Sequence, residues 1–172
     1  MFGILQSQIQ TFIGVNIFMA LNKIKCETIS VVAFQDDCVS CPRETYDDYL
    51  SDLDEAKLQL SGTPTRFMLR LVLGYEEQKK IENSRVAMNS NDRSMAIATS
   101  SMPEMRAALV GITCPPDQLE ADRIEFKKDT DGLVSKTLIA DLNALGVCAD
   151  LQIARSNAVA KTQVNQKKLK PL

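Results

Sequence analysis

Residues Thr65–Leu73, TRFMLRLVL, carry the clearest secondary-structure signal in the chain. Every second residue is apolar, and a period of two predicts a strand with one buried face. The expected inward residues are Phe67, Leu69 and Leu71, and the expected outward residues are Arg66, Met68 and Arg70. The preceding turn signal, Ser61-Gly62-Thr63-Pro64, would join this strand to Lys57–Leu60, so we predict a β-hairpin.

Strand and helix signals alternate along the rest of the chain. The Ile-, Val- and Thr-rich stretch Lys23–Phe34 predicts a further strand. Helical spacing of apolar or charged residues predicts helices over Thr45–Leu53, from Tyr75 onward, from Ser101 through Ile112, over Leu133–Leu145 and from Cys148 to about Val164. We therefore predict an α+β fold, in which the N-terminal strand and hairpin pack with a mainly helical C-terminal half.

The two ends of the chain differ in composition from the predicted domain, residues 19–164. Residues 1–18, MFGILQSQIQTFIGVNIF, are apolar but interrupted by polar residues, so we predict no membrane span and no signal peptide. Two interpretations stay open: an arm that docks on a partner or a membrane surface, or an extension upstream of a translation start at Met19. Residues 165–172 are predicted to form a basic C-terminal tail.

Composition excludes several classes of catalytic site. The chain of 172 residues has no histidine, which removes Ser-His-Asp and Cys-His catalysis and histidine-bound metals. Glycine-rich phosphate loops and nucleophile elbows are also absent from the sequence. A net charge of -2 gives no overall attraction to nucleic acid or to anionic membranes. We therefore expect a non-enzymatic protein without a cofactor.

Five cysteines at irregular spacing do not fit a disulfide framework, so we expect reduced thiols in a cytoplasmic protein. Cys38 and Cys41 form a C-x-x-C pair, which is typical of redox dithiols and of half a zinc site. Cys26 is the candidate third metal ligand. The alternative is two incidental thiols in an acidic loop, and it is the one we favour.

The segment Asp129-Thr130-Asp131-Gly132 matches the middle of a calcium-binding loop. A calcium loop would require carboxylates at the positions of Lys127 and Leu138, which rules that interpretation out. We predict instead an Asx turn that leads into the next helix.

A candidate partner-binding surface is predicted on the last helix. Leu151, Ala154 and Ala158 lie on one stripe at helical spacing, and the small side chains of the two alanines would allow close approach. The predicted helix before it is joined through Gly146, a typical helix-ending residue, and a connection this short favours antiparallel neighbours.

Residues Asp47–Ile81, DDYLSDLDEAKLQLSGTPTRFMLRLVLGYEEQKKI, resemble the opening of small tailed-bacteriophage morphogenesis proteins, including tail assembly chaperones. The shared outline is an acidic lead, a strand, a Gly-x-Pro-Thr turn, a second strand and a Glu-rich helix from Tyr75. Thr137–Ala154 resembles the helical ending of such proteins. The resemblance implies a protein that holds apolar surface during virion assembly, or stays in the particle as a minor component, and it brings no catalytic residues.

The leading hypothesis is therefore a bacteriophage assembly or minor structural protein of the host cytoplasm or the virion. Its partners would be other virion or assembly proteins, or further copies of itself. One alternative is a small regulatory or nucleic-acid-associated protein that uses the basic C-terminal helix, although the four lysines there lack interleaved aromatic residues. A second alternative is a zinc or redox protein built on its cysteines.

Overall fold

The structure, a computed structural model, describes residues 27–88 and 102–168. The predicted N-terminal arm, Cys26 and the end of the basic tail lie outside these residues. Five helices and three strands are described: β1 (Thr28–Val32), α1 (Arg43–Asp52), β2 (Arg66–Arg70), α2 (Tyr75–Met88), α3 (Met102–Ala108), β3 (Leu109–Thr113), α4 (Lys136–Ala144) and α5 (Val147–Lys168). This arrangement is an α+β fold with a helical C-terminal half, as predicted.

The strand over Arg66–Arg70 is the centre of an antiparallel sheet with the order β1-β2-β3. Phe67, Leu69 and Leu71 are buried, so the predicted inward face is confirmed. The predicted hairpin is wrong, because β2 pairs with β1, Val31 opposite Phe67, and with β3. Residues Glu55–Lys57 form a short 3-10 turn, and Leu60 bridges to Val39 instead.

The third strand replaces the second half of a predicted helix. Helix α3 stops at Ala108, and the chain continues directly as β3. The β-branched Val110, Ile112 and Thr113 favour a strand over a helix, and Gly111 is unfavourable in a helix interior, which explains the switch. A register shift opposite Met68 and Leu69 places Val110 as an extra residue in β3.

Helix α1 closes one end of the sheet through two tyrosines. The side chains of Tyr46 and Tyr49 are buried, as the apolar face of the predicted helix requires. The Tyr46 hydroxyl donates to the carbonyl of Val32 at 2.8 Å, and the amide of Val32 donates to the Tyr49 hydroxyl at 3.0 Å. Helix α1 therefore supplies hydrogen-bond partners for both the amide and the carbonyl of Val32, the last residue of β1.

Helices α4 and α5 meet at Gly146, whose φ of +79° is the left-handed conformation expected after a helix end. The two helices are bent by 96° relative to each other, so the predicted antiparallel pair is wrong. This near-perpendicular turn lets α5 pack against α1, β1 and β2 as well as α4. Helix α5 continues through Lys168, past the predicted start of the tail at residue 165.

Among the described residues, no single helix is long and apolar enough to cross a membrane. The bent pair of α4 and the first part of α5 meets that requirement only when the two helices are taken together, by length and composition.

Candidate functional site

An open groove of about 430 Å³ lies where the end of β2 meets helices α2, α3 and α5. Its apolar lining comes from three separate segments: Leu71, Val72 and Leu73 after β2, Ile81 on α2, and Val159 on α5. Val72 is 42% exposed, which is high for a large aliphatic side chain beside a core. The groove is therefore a surface on which apolar side chains of another segment could be buried.

The groove exists because α2 is anchored outside the main core. Ile81 belongs to a small cluster with Ala107 and Leu133, against which Leu73 packs. Helix α5 instead belongs to the main core, which contains Leu151 on its inner face. Two helices held by two different clusters leave a gap between them, and the end of β2 forms its floor.

Arg155 fixes one wall of the groove. Its Nε donates to the carbonyl of Arg70 at 2.8 Å, and its Nη2 donates to the carbonyl of Leu71 at 3.0 Å. Its Nη1 forms an ion pair with Glu104 Oε1 at 2.7 Å, and the Arg155 side chain is only 14% exposed. One planar guanidinium thus joins α5 to the end of β2 and to α3, which makes this wall rigid.

The charged residues of the lining are Glu82, Glu104 and Arg155, which give one more negative than positive charge. The guanidinium of Arg155 is already paired with the carboxylate of Glu104, whose side chain is 40% exposed. Glu82 is exposed. An apolar segment flanked by basic residues would therefore match the groove better than one flanked by acidic residues.

The predicted partner-binding stripe is wrong for two of its three residues. Leu151 and Ala154 are each 0% exposed and belong to the main core, where α5 packs on the sheet, and Ala158 is half-buried. The groove uses the neighbouring stripe of the same helix, which includes Arg155 and Val159. Exposed Ile153 and Val164 show that α5 carries apolar residues on several faces, so helical spacing alone could not identify the buried one.

The C-x-x-C thiols lie between strand β1 and helix α1, and Cys38 is partly exposed. Cys41 is buried, and Cys38 Sγ donates to the carbonyl of Thr63 at 3.5 Å. Desolvation, followed by a hydrogen bond with Asp36 and by nearby carboxylates, raises the pKa of Cys38 and disfavours the reactive thiolate. Within residues 27–88 and 102–168, no group of three or more Cys, Asp or Glu residues is placed to hold a metal ion, and Cys26 is outside them.

The turn at Asp129–Gly132 holds a buried guanidinium. Arg106 of α3 is 2% exposed, and its Nη2 lies 3.0 Å from Asp129 Oδ2 and 2.9 Å from Asp131 Oδ2. Its Nε donates to the carbonyl of Val134 at 2.6 Å. The predicted Asx turn is confirmed, since the amide of Leu133 donates to Asp131 Oδ1 at 3.0 Å, and Gly132 between them has a φ of +75°. The two carboxylates that suggested a calcium loop stabilise the packing of α3.

A second buried ion pair ties α5 to α1. Asp150 is 1% exposed and accepts a hydrogen bond from Arg43 Nη2 at 2.7 Å. The Arg43 guanidinium lies 5.2 Å from the ring centre of Phe34 and 5.1 Å from that of Tyr46, within cation–π range. Sequence reasoning missed Asp150, Arg106 and Arg155, because charged residues of helices are usually exposed and their neighbours include further polar residues, such as Glu104 beside Arg106.

Comparison of the chain with protein-family models, with curated proteins and with solved structures found no match.

Proposed function

We propose that the chain is a non-enzymatic protein that binds other proteins through this groove, as an assembly factor or minor structural component of a bacteriophage. The observation that carries the proposal is the groove itself, in which the exposed Val72 and the half-buried Leu73 and Val159 lie beside a fixed Arg155–Glu104 pair. Polar residues, including Gln78, Glu82 and Gln163, complete the lining, and such a mixture of apolar and polar groups is usual for a protein-binding surface.

The buried charges of the described residues support this role. Arg106, Asp150 and Arg155 each bind groups of the protein itself, and each joins separate elements of the fold. Charges at a catalytic site are instead arranged to face a substrate. Here Arg155 holds one wall of the groove, while Arg106 and Asp150 hold α3 and α5 against other parts of the fold, which suits recognition more than chemistry.

The phage assignment rests on the resemblance over Asp47–Ile81. This region forms the second part of helix α1, strand β2 and the first half of helix α2, and its last part, Leu71–Ile81, supplies much of the groove. A protein that binds the apolar surface of a partner during assembly requires exposed apolar side chains such as Val72. The proposal therefore connects the resemblance and the groove through the same residues.

The proposal is tested by quantitative mass spectrometry of phage particles and their assembly intermediates. The chain is produced from its native genome as wild type, as Val159→Glu in the groove, and as Val164→Glu on an exposed position of α5 outside the groove. We expect wild type and Val164→Glu to be found with assembly intermediates or particles, and folded Val159→Glu to be depleted. Absence of the wild-type chain from both fractions would contradict the phage role.

A further inference from the structure

We propose that a small cavity between helices α3, α4 and α5 binds a soft monovalent metal ion of the copper(I) class. The ligands are the sulfur atoms of Met102, Met105 and Cys148, all of which line the cavity. This cavity has a volume of about 90 Å³ and shares no lining residue with the groove. The inference is therefore independent of the proposed function, and either can fail without the other.

The fold brings the three sulfur-containing residues to one place. Met102 and Met105 are three residues apart on α3, so they lie on the same face of that helix. Cys148 is the second residue of α5, directly after the turn at Gly146 where α5 bends away from α4. Its Sγ donates a hydrogen bond to the carbonyl of Ile139 on α4 at 3.6 Å. Three helices thus meet at the cavity, and two of them supply its sulfur atoms.

The cavity is large enough for one ion and can be reached from outside. Its volume of about 90 Å³ exceeds the roughly 10–15 Å³ that a single water molecule requires. Methionine has three rotatable bonds, so the two thioethers can adjust their positions around an ion. Met105 and Cys148 are buried, whereas Met102 is half-buried, which gives an ion a path past Met102.

The donor set selects the class of ion. Thioethers and thiolates are soft donors that favour copper(I), whereas magnesium and calcium favour oxygen ligands. Burial raises the pKa of Cys148 to about 11, so the site holds a thiol until an ion binds the sulfur and its proton leaves to solvent. Binding of the ion thus releases one proton.

The charge balance favours a monovalent ion over zinc. One thiolate, two neutral thioethers and one monovalent cation sum to zero net charge, and a neutral complex is buried at a much smaller desolvation cost than an ion. A zinc ion would leave one positive charge without a partner. The other residues that line the cavity carry no charge that could balance it: Ile139, Asn143, Ala149 and Gln152.

The test is NMR of the reduced full-length chain, labelled with ¹³C at its methionine methyl groups and titrated with silver(I) as a redox-stable probe for copper(I). Silver(I) is added in excess over the five cysteines, so that other thiols do not withhold it. We expect the methyl resonances of Met102 and Met105 to shift together, and that of Met68 on the central strand to stay unchanged. Zinc(II) at the same concentration should leave all three unchanged, and equal shifts with zinc(II) would overturn the class of ion proposed.

Two buried cysteines give a matched pair of variants. Cys148→Ser should abolish the shifts of Met102 and Met105, whereas Cys41→Ser, which changes a cysteine of the same core outside the cavity, should preserve them. Met105→Leu keeps the volume and should weaken silver(I) binding, followed at the Met102 methyl, at least about tenfold.

An unchanged Met68 resonance identifies the variants that fold. Cys148→Ala replaces Cys148→Ser, and Met102→Leu followed at the Met105 methyl replaces Met105→Leu, where the first choice does not fold. Shifts that persist in a folded Cys148 variant, or Met102 and Met105 resonances that do not move in wild type, would overturn the inference.

Discussion

Replacing Arg155 by methionine removes the guanidinium that fixes the groove wall and keeps most of the aliphatic volume. The variant loses the 2.8 Å bond to the Arg70 carbonyl, the 3.0 Å bond to the Leu71 carbonyl and the ion pair with Glu104. We expect a clear loss of stability, because the two carbonyls at the end of β2 lose partners that the thioether cannot replace.

The magnitude follows from the three bonds. Hydrogen bonds to neutral carbonyls contribute about 1 kcal/mol each, and the pair with the 40% exposed Glu104 contributes at most about 1 kcal/mol after solvent screening. The expected loss is about 2–3 kcal/mol, which lowers the melting temperature of a chain of this size by roughly 4–12 °C. The melting temperature of Arg155→Lys should fall between those of wild type and Arg155→Met. The lysine ammonium keeps the charge but cannot reproduce the planar geometry of the guanidinium.

Thermal unfolding followed by circular dichroism measures this loss, and Arg123→Met is the matched control. Arg123 also donates to two backbone carbonyls, those of Gln118 at 3.2 Å and Pro116 at 3.1 Å, but in an exposed loop. We expect Arg123→Met to change the free energy of unfolding by no more than about 0.5 kcal/mol. If Arg155→Met melts within about 2 °C of Arg123→Met, the rigid wall described here does not exist.

Three further predictions concern the core and its charges. Ala154→Glu places a carboxylate at a fully buried position and should lower the free energy of unfolding by several kcal/mol. A variant with the wild-type melting temperature would contradict the burial of Ala154. Arg106→Met should cost about 1–3 kcal/mol in urea unfolding, because the buried Val134 carbonyl loses its donor while the two carboxylates, 36% and 40% exposed, are screened by solvent, and a shift within error would contradict this. The hydrogen-bonded Arg66 lowers the pKa of Glu55, so the pair's stability is present above about pH 4 and is lost as the pH falls further. Arg66→Met should remove that part of the acid dependence, and an unchanged profile would argue against the pair.

Local periodicity predicted the elements whose signal lies in consecutive residues. The alternation at Phe67 and Leu69 identified the central strand and its buried face, and the tyrosine spacing identified helix α1. The pairing partner of β2 was not predictable, because β1 and β3 lie far away in sequence and no tight turn marks either connection. The β-branched residues after Ala108 did signal β3, but the strong helix start before them outweighed that signal.

The groove could not be predicted from the sequence for a similar reason. Its lining joins Leu71–Leu73, Ile81 and Val159, which come together only because α2 is held by a different apolar cluster from α5. On α5 two neighbouring stripes have the same helical spacing. Burial against the sheet, a tertiary effect, decides that Leu151 and Ala154 are core and that Val159 faces the groove.

Photo-cross-linking in cells that carry the chain's native genome tests most directly whether the groove binds other proteins. A photo-reactive residue is placed at the exposed groove position 72, and the control is placed at Leu119, which is 72% exposed in a loop away from the groove. We expect adducts between position 72 and one discrete virion or assembly protein, and we expect none at position 119. Equal adducts with the same proteins at both positions would contradict the groove as a binding site.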